Sequence, residues 1–202
     1  MRGFVKEDVS QGHSLMADST ARMIQLRFVD LAAKHRDSLR AVLRTSDDEN
    51  HRAFAAEVLA YSANKQSVVE DLVYAMRDPS GEVRNNATRA LALIAIYGRQ
   101  HPDLKIDVPY EPFIDLLNSV AWTDRNKASL ALMQLTESRD PKLLAALKTR
   151  AFDAVVEDWG EDDDDFGESG ELGPSRPPDA PLFMLTPSGT AIFLPIDATL
   201  EP

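Results

Sequence analysis

The sequence predicts an all-α protein built from stacked pairs of helices, and three observations support this fold class. Residues 65–95 read as two amphipathic helices joined at residues 78–81, with apolar side chains recurring every three or four residues. Variants of this pair precede and follow it, and a short motif recurs at the start of each second helix. Because one such pair cannot bury its apolar faces alone, we expect the pairs to stack.

The charge of the chain is concentrated at its C-terminal end. Residues 157–202 hold twelve acidic side chains and one basic side chain, Arg176, so their net charge of −11 equals that of the whole chain. The remaining residues, 1–156, balance 21 acidic against 21 basic side chains. A neutral body with an acidic tail disfavours nucleic-acid binding, which needs a basic surface. The chain has no cysteine, so disulfide and thiolate chemistry are excluded.

Residues 1–17 show no helical period and are predicted to form an N-terminal arm, either ordered or a disordered lead-in. Within the arm, His13 and Ser14 have no partner that spacing identifies, which favours a non-catalytic role for both. The N-terminus lacks the apolar core of a signal peptide, and no run approaches the ~20 apolar residues that cross a bilayer. We therefore expect a cytoplasmic protein that does not insert into membranes.

Three helices are predicted before the central pair. Asp18 or Ser19 caps the first, which extends to about His35; the second ends at the polar residues 45–48; the third covers about 49–61. Their predicted inward side chains are Ile24, Phe28, Leu31, Ala32, Leu39, Val42, Leu43, Ala55, Val58 and Leu59.

The central pair and the helices after it show the same periodicity. The two central stripes comprise Val68, Val69, Leu72, Val73, Met76, Val83, Ala87, Ala90, Leu91 and Ile94. Residues 98–109 are predicted to form an inserted loop. Pro112 suits the first turn of the next helix, and the break after it is placed at Thr123 and Asp124. The later inward side chains are predicted as Phe113, Leu116, Leu117, Val120, Ala128, Ala131, Leu132, Leu135, Leu143, Leu144, Leu147, Ala151 and Val155. Asp140 and Pro141 begin a last helix that extends to about Trp159.

The recurring motif is anchored on an arginine at the start of each second helix: Arg52, Arg84 and Arg125. Alanine follows three residues later in every copy, a small residue four later and leucine seven later. Small side chains let two helices approach closely, and the leucine fills the interface two turns further on. A plain helical bundle is the alternative architecture.

The motif resembles the HEAT and HEAT-like repeat family, in which an aspartate ends the first helix and a Val-Arg-like pair begins the second. Asp78 and Val83-Arg84 match this pattern best; Asp47 and Asp48 precede Arg52, and Asp124 precedes Arg125. The resemblance implies a right-handed α-solenoid of three to four helix pairs over residues 18–159. It also implies that Arg52, Asp78, Arg84, Asp124 and Arg125 hydrogen-bond from unit to unit. The stretches QGHSLM and WTDRNKASLALMQLTESRDPKLLA are similar to bacterial HEAT-repeat proteins.

The resemblance implies a non-enzymatic scaffold or adaptor that binds another protein or peptide. The four histidines are isolated and none precedes a glutamate, so the di-iron use of such repeats is disfavoured and we expect no metal or cofactor. An enzyme or lyase accessory is the alternative, which a deep pocket with convergent polar groups would favour. A piece of a longer repeat array is another, which an apolar face exposed on a terminal helix would favour.

Candidate partner-binding residues lie in the central pair and the tail. Tyr74, Asn85 and Arg89 stand on the central helices. A solvated face is the simpler interpretation for Asn85 and Arg89, and core or edge packing is the simpler one for Tyr74. Residues 160–181 read as an acidic and Pro-rich linker, without an EF-hand because Gly173 stands where a glutamate is required. Residues 182–202 read as an apolar hairpin containing Phe183 and Phe193. A lone hairpin is marginal in water, so we expect it to dock on its own repeats, a second copy or a partner.

Overall fold

The computed structural model describes the backbone of residues 7–157, 182–185 and 191–194, and the side chains of residues 7–149. The chain divides into two compact units, residues 1–138 and 139–202. Seven α-helices and four short strands lie in the described ranges. The helices are α1 (Ser19–Thr45), α2 (Glu49–Leu59), α3 (Gln66–Ala75), α4 (Gly81–Gln100), α5 (Glu111–Leu116), α6 (Trp122–Thr136) and α7 (Pro141–Glu157), and the strands are β1 (Glu7–Asp8), β2 (Leu15–Met16), β3 (Leu182–Leu185) and β4 (Ala191–Leu194).

Helix α1 joins two of the predicted helices into one bent helix. Asp18 caps it by accepting a hydrogen bond from the Ala21 backbone N–H at 2.8 Å. His35, where the first helix was predicted to end, has non-helical backbone angles (φ −124°, ψ 20°) and marks a kink. The boundary was therefore located correctly, but the chain bends there without forming a loop.

The predicted inward face of α1 is partly wrong. Ala32 is buried and Phe28 packs edge-on against Phe54 and Tyr61, whereas Ile24 and Leu31 are 53% and 37% exposed. A first helix has neighbours on one side only, and α1 contacts α2, α3 and β2. The apolar side chains of α1 therefore cover a wider face of the helix than its neighbours bury.

The central pair, α3 and α4, follows the prediction closely, since every predicted stripe residue is buried except Val73, which is half-buried. One boundary was wrong, because α4 continues through Gly98 to Gln100. A Cβ atom on Gly98 would lie 2.9 Å from the Ile106 Cβ, so glycine allows the following loop to fold back against the helix. That loop contains a short 3₁₀ helix, Pro102–Leu104, and Lys105 in the left-handed region (φ 50°).

The third pair is shorter than predicted. Pro112 lies in the first turn of α5, as expected, but α5 ends at Leu116 and Val120 is 99% exposed, so its assignment to the core was wrong. The break was also misplaced, because Asp124 lies in the first turn of α6. The Ser119 hydroxyl donates to the Asp124 carboxylate at 2.6 Å and accepts from the Ala121 N–H, and these local bonds compete with helix continuation.

Within the first unit, the second helix of each pair packs against the next second helix. Helix α2 contacts α4, and α4 contacts α6, while α3 packs on α4 and α5 on α6. We call α2, α4 and α6 the second-helix row. The arginine motif begins each member, so its alanines and leucines lie between neighbouring helices and are buried.

The second unit contains α7 and two strands. The Asp140 carboxylate accepts from the Lys142 N–H at 2.9 Å, the capping contact expected before a helix that begins with Pro141. Strand β3 pairs antiparallel with β4, and Phe183 lies opposite Phe193 in the register. The predicted end of α7 at Trp159, the acidic linker and the turn at residues 186–189 lie outside the described residues.

Candidate functional site

The outer surface of the second-helix row is formed by side chains at equivalent motif positions. The fifth residue after each anchor arginine points outward: Glu57 in α2, Arg89 in α4 and Leu130 in α6 are all exposed. One repeated backbone position therefore presents an acidic, a basic and an apolar side chain in turn. Such a row forms an extended surface whose chemistry changes from unit to unit.

Arg52 connects the first pair to the second. Its Nε and Nη2 atoms donate to the two carboxylate oxygens of Asp78 at 2.7 and 2.9 Å, which is a bidentate contact. Its Nη1 donates to the Ser46 carbonyl at 2.9 Å. Burial alone would raise the pKa of Asp78, but the hydrogen bonds from Arg52 and the Ser80 N–H, together with the charges of Arg52 and Arg84, outweigh burial and lower it.

Arg84 makes the corresponding connection from the second pair to the third. Its Nε donates to Asp124 at 2.8 Å, and its Nη1 donates to the Asp78 carbonyl at 2.7 Å. Arg125 donates to the Ser119 carbonyl at 2.7 Å. All three arginines therefore bond the carbonyl six residues before them, and the first two also bond the aspartate of the following pair.

A second set of arginine–aspartate contacts was missed from the sequence. The Asp71 side chain is fully buried in α3, and Arg40 and Arg44 of α1 reach it at 2.5 and 2.7 Å. The four-residue spacing of the two arginines, which places them on one helix face, was the available signal. Arg44 also lies over the Tyr74 ring, 4.7 Å from its centre.

The N-terminal arm, which the structure describes from Glu7 onward, packs against the first two helix pairs. Strands β1 and β2 pair antiparallel, and Gly12 between them has a left-handed backbone (φ 67°). A Cβ on Gly12 would lie 2.9 Å from the Tyr97 Cβ of α4. The Tyr61 hydroxyl donates to the Ser14 carbonyl at 2.8 Å. The arm therefore fastens the end of α2 to α4.

His13 is the central anchor of the arm, and its partner lies too far along the chain for spacing in the sequence to identify. Lys65 Nζ lies 2.9 Å from His13 Nδ1 and donates to the Ala60 carbonyl at 2.7 Å, and both side chains are buried. Burial, with the Lys65 charge, lowers the pKa of His13 to about 4, and burial lowers the pKa of Lys65 to about 8. At neutral pH a charged lysine therefore donates to a neutral imidazole, and the pair serves as a structural fastening.

A cavity of about 270 Å³ lies between the arm and the row, at the lower end of ligand-pocket volumes. Its polar lining comes from the arm, α1, α2 and α4: Glu7, His13, Ser14, Gln25, Glu57, Tyr61, Asn86 and Arg89. Several of these groups already hold the arm, since Gln25 accepts from the Met16 N–H at 2.7 Å. Glu57 lies at the rim, where its side chain is exposed but desolvation by its neighbours still raises its pKa against the attraction of Arg89.

Glu7 connects the arm to the outer surface of the row. Arg89 Nη2 donates to the Glu7 carboxylate, and Lys127 of α6 is close enough to act on its charge. Burial alone would raise the pKa of Glu7, but hydrogen bonding, chiefly from Arg89, together with the charges of Arg89 and Lys127, outweighs burial and lowers the pKa. A carboxylate on the arm is therefore paired with Arg89 of α4 and attracted by the charge of Lys127 on α6.

The predicted partner-binding residues belong to both units. In the first unit, Arg89 lies at the arm contact, the Asn85 side chain donates to Asn86 at 3.4 Å, and Tyr74 lies in α3 against Arg44. In the second unit, Phe183 and Phe193 are register partners in the pairing of β3 with β4. Among the residues the structure describes, no group of three His, Asp or Glu side chains is placed to hold a metal ion.

Sequence reasoning missed the arm contacts because they join positions far apart in the chain, such as His13 and Lys65. Arg89 was predicted from the sequence, and Glu57 and Leu130 could have been found by reading the same motif position, the fifth residue after the anchor arginine, in α2 and α6. No helix in the described part of the chain is both long and apolar enough to cross a membrane.

Comparison with known proteins agrees with the geometry of the row. Among curated proteins, none is similar enough in sequence to count as a relative. Residues 36–106 match the family described as HEAT repeats, a range that covers the end of α1, helices α2 to α4 and the loop after them. Residues 36–106 are therefore assigned to the HEAT-repeat family, and within this range α2 and α4, each begun by an anchor arginine, pack side by side.

Proposed function

We propose that the chain is a non-enzymatic scaffold or adaptor whose second-helix row binds another protein or peptide. The observation that carries the proposal is the row itself: three stacked helices present Glu57, Arg89 and Leu130 outward from equivalent positions. HEAT repeats generally serve as scaffolds for protein interaction. Small rotations between stacked units give such proteins extended binding surfaces.

The finer architecture belongs to the same proposal. We infer a right-handed solenoid in which Arg52, Asp78, Arg84, Asp124 and Arg125 act as stacking residues. The support is that Arg52 and Arg84 each bond the aspartate of the following pair. Residues 160–181 are proposed as an acidic linker, and residues 182–202 as a hairpin that supplies Phe183 and Phe193 to a docking contact. The cytoplasmic location remains a prediction from the N-terminal sequence.

A matched pair of surface variants tests the row as the binding surface. Leu130 is 41% exposed on α6, whereas Val120 is 99% exposed in the turn before α6. We expect a specific partner, captured by the intact chain and identified by mass spectrometry, to be lost with Leu130→Glu and retained with Val120→Glu. Equal recovery of the partner with both variants would show that the second-helix row is not the binding surface.

An enzyme or lyase accessory is the second candidate, and the cavity beneath the arm is the observation in its favour. Its polar groups converge, but Arg89, Tyr61 and Gln25 are occupied in holding the arm. Turnover of a small molecule that is abolished by Glu57→Gln would favour this candidate over the adaptor.

The third candidate, a piece of a longer array, is favoured by the exposed apolar face of α1. Met23, Ile24 and Leu26 are 63%, 53% and 48% exposed, whereas the outer face of an end repeat is normally polar. A further repeat or a partner would cover this face. Met23→Glu with Ile24→Glu should leave the chain folded and abolish that association, as measured by light scattering.

A further inference from the structure

Strand β1 is the part of the arm that lies on the outer surface of the row. Its residues, Glu7 and Asp8, are half-buried, whereas His13, Ser14 and Leu15 further along the arm are buried. Ion pairs hold both β1 side chains: Glu7 to Arg89, and Asp8 to Arg22 at 3.1 Å. The arm therefore has a buried anchor and a more exposed leading strand, which pairs with β2 and whose side chains are held to the helices by ion pairs.

The surface beneath β1 carries two positively charged side chains, and Glu7 forms an ion pair with one of them. Arg89 is 42% exposed and contributes one of its donor groups to Glu7. Lys127, on the neighbouring helix α6, forms no ion pair with any residue in the described part of the chain and acts on Glu7 only through its charge. Two adjacent helices thus place the positive charges of Arg89 and Lys127 near the Glu7 carboxylate, while Arg89 also attracts Glu57 of α2.

We infer that the arm is an intramolecular competitor: Glu7 occupies a cation site, formed by Arg89 and Lys127, that takes an acidic side chain from an extended segment of the protein partner. This inference rests on the proposed function, because it concerns the same second-helix row. The occupant is identified by charge complementarity, since two cations attract a carboxylate, and by the extended conformation of the strand that already places one there.

Release of β1 does not require the whole arm to unfold. The His13–Lys65 contact and the Tyr61–Ser14 hydrogen bond hold the arm behind β1. A partner segment that bonds Arg89 would displace Glu7 while this anchor stays in place. Exposed ion pairs are individually weak, so the exchange has a low energetic barrier to overcome.

The test uses the full-length chain and a fluorescent, extended peptide of alternating Glu and Ser, with a Gln–Ser peptide as the matched probe. Binding is measured by fluorescence anisotropy at low salt, where charge contributes most. We expect Glu7→Gln to lower the Kd for the acidic peptide about tenfold, because the site is no longer filled intramolecularly. Asp8→Asn is the matched control: it breaks the Arg22 pair and should leave the Kd unchanged, because Arg89 stays occupied.

Adding Arg89→Gln to Glu7→Gln should abolish the gain, and adding Lys127→Gln should reduce it. The acidic residues 157–171 are present in every variant, so differences between variants report on Glu7. Unchanged affinity after Glu7→Gln, equal binding of the two peptides, or full binding by the Glu7→Gln, Arg89→Gln chain would each overturn the inference. Thermal melting curves of the variants check that all are folded.

The outcome is separable from that of the proposed function. If a partner depends on Leu130 while the acidic peptide ignores Glu7 and Arg89, the adaptor surface stands and the competitor role of the arm is wrong. If peptide binding responds to Glu7 and Arg89 as expected and no partner depends on Leu130, the cation site is supported and the proposal that the whole row binds a partner is wrong.

Discussion

His13 shows how one buried side chain makes the stability of the arm depend on pH. Burial and the nearby Lys65 charge hold its pKa at about 4, against an ordinary value of 6.5. Between these values the unfolded chain binds a proton that the folded chain does not, so stability falls as the pH drops from about 6.5 to about 4. The loss should then level off below pH 4.

We predict that His13→Gln removes most of this slope. Glutamine still offers Lys65 an acceptor but cannot take up a proton. The wild-type chain should lose about 2 kcal/mol more than the variant between pH 7 and pH 4, as measured by urea denaturation at each pH. Parallel pH profiles for the two proteins would show that His13 does not carry the dependence. His101→Gln, on a half-buried histidine outside the arm, serves as the control.

We expect the stability of the folded chain to be sensitive to Asp71, because its buried carboxylate is neutralised by two arginines of another helix. Asp71→Asn leaves those guanidinium groups without their counter-charge and should lower the free energy of unfolding by about 3 kcal/mol. The matched change Asp37→Asn, at a side chain that is 85% exposed, should cost less than about 0.5 kcal/mol. Similar losses in urea denaturation of the two variants would contradict the role of Asp71 in joining α1 to α3.

At the scale of the helix, α4 depends on a glycine near its end. Gly98→Ala places a Cβ atom against Ile106 and should destabilise the chain by about 2 kcal/mol, since helix and loop must separate. At the other end, a Cβ on Gly81 would meet only the Arg84 guanidinium, at 3.6 Å, so Gly81→Ala should change stability by less than about 1 kcal/mol. Thermal unfolding of the two variants compares an identical substitution in one helix.

The helices of the core were predictable because their signals are local. Leu72 and Leu91 belong to apolar stripes that repeat within a few residues, and both are fully buried. Local signals gave wrong predictions at positions that depend on tertiary contacts. Ile24 has the apolar period of an inward residue but is exposed. Gly98 reads as the end of a helix, whereas α4 continues through it and Ile106 lies against it. The candidate site was less predictable, since Glu7 and Arg89 lie 82 residues apart and no spacing connects them.

In the first unit as a whole, stability should be transmitted between adjacent pairs. Arg84 of the second pair bonds Asp124, which is nearly fully buried in the third pair. In a stack of repeats each unit contacts only its neighbours, so damage at one interface should weaken with distance. The arm adds a second fastening between the first two pairs through His13 and Gly12.

We therefore predict that Asp124→Asn raises amide hydrogen exchange in α5 and α6 strongly, in α4 moderately, and in α2 very little. The physical reason is that the lost bond lies between the second and third pairs, while Arg52 and the arm still hold the first two together. Hydrogen exchange followed by mass spectrometry reports each helix separately. A uniform rise across α2, α4 and α6 would mean that the unit opens as one cooperative body, and Gly12→Ala, which loosens the arm, should instead raise exchange first at the end of α2.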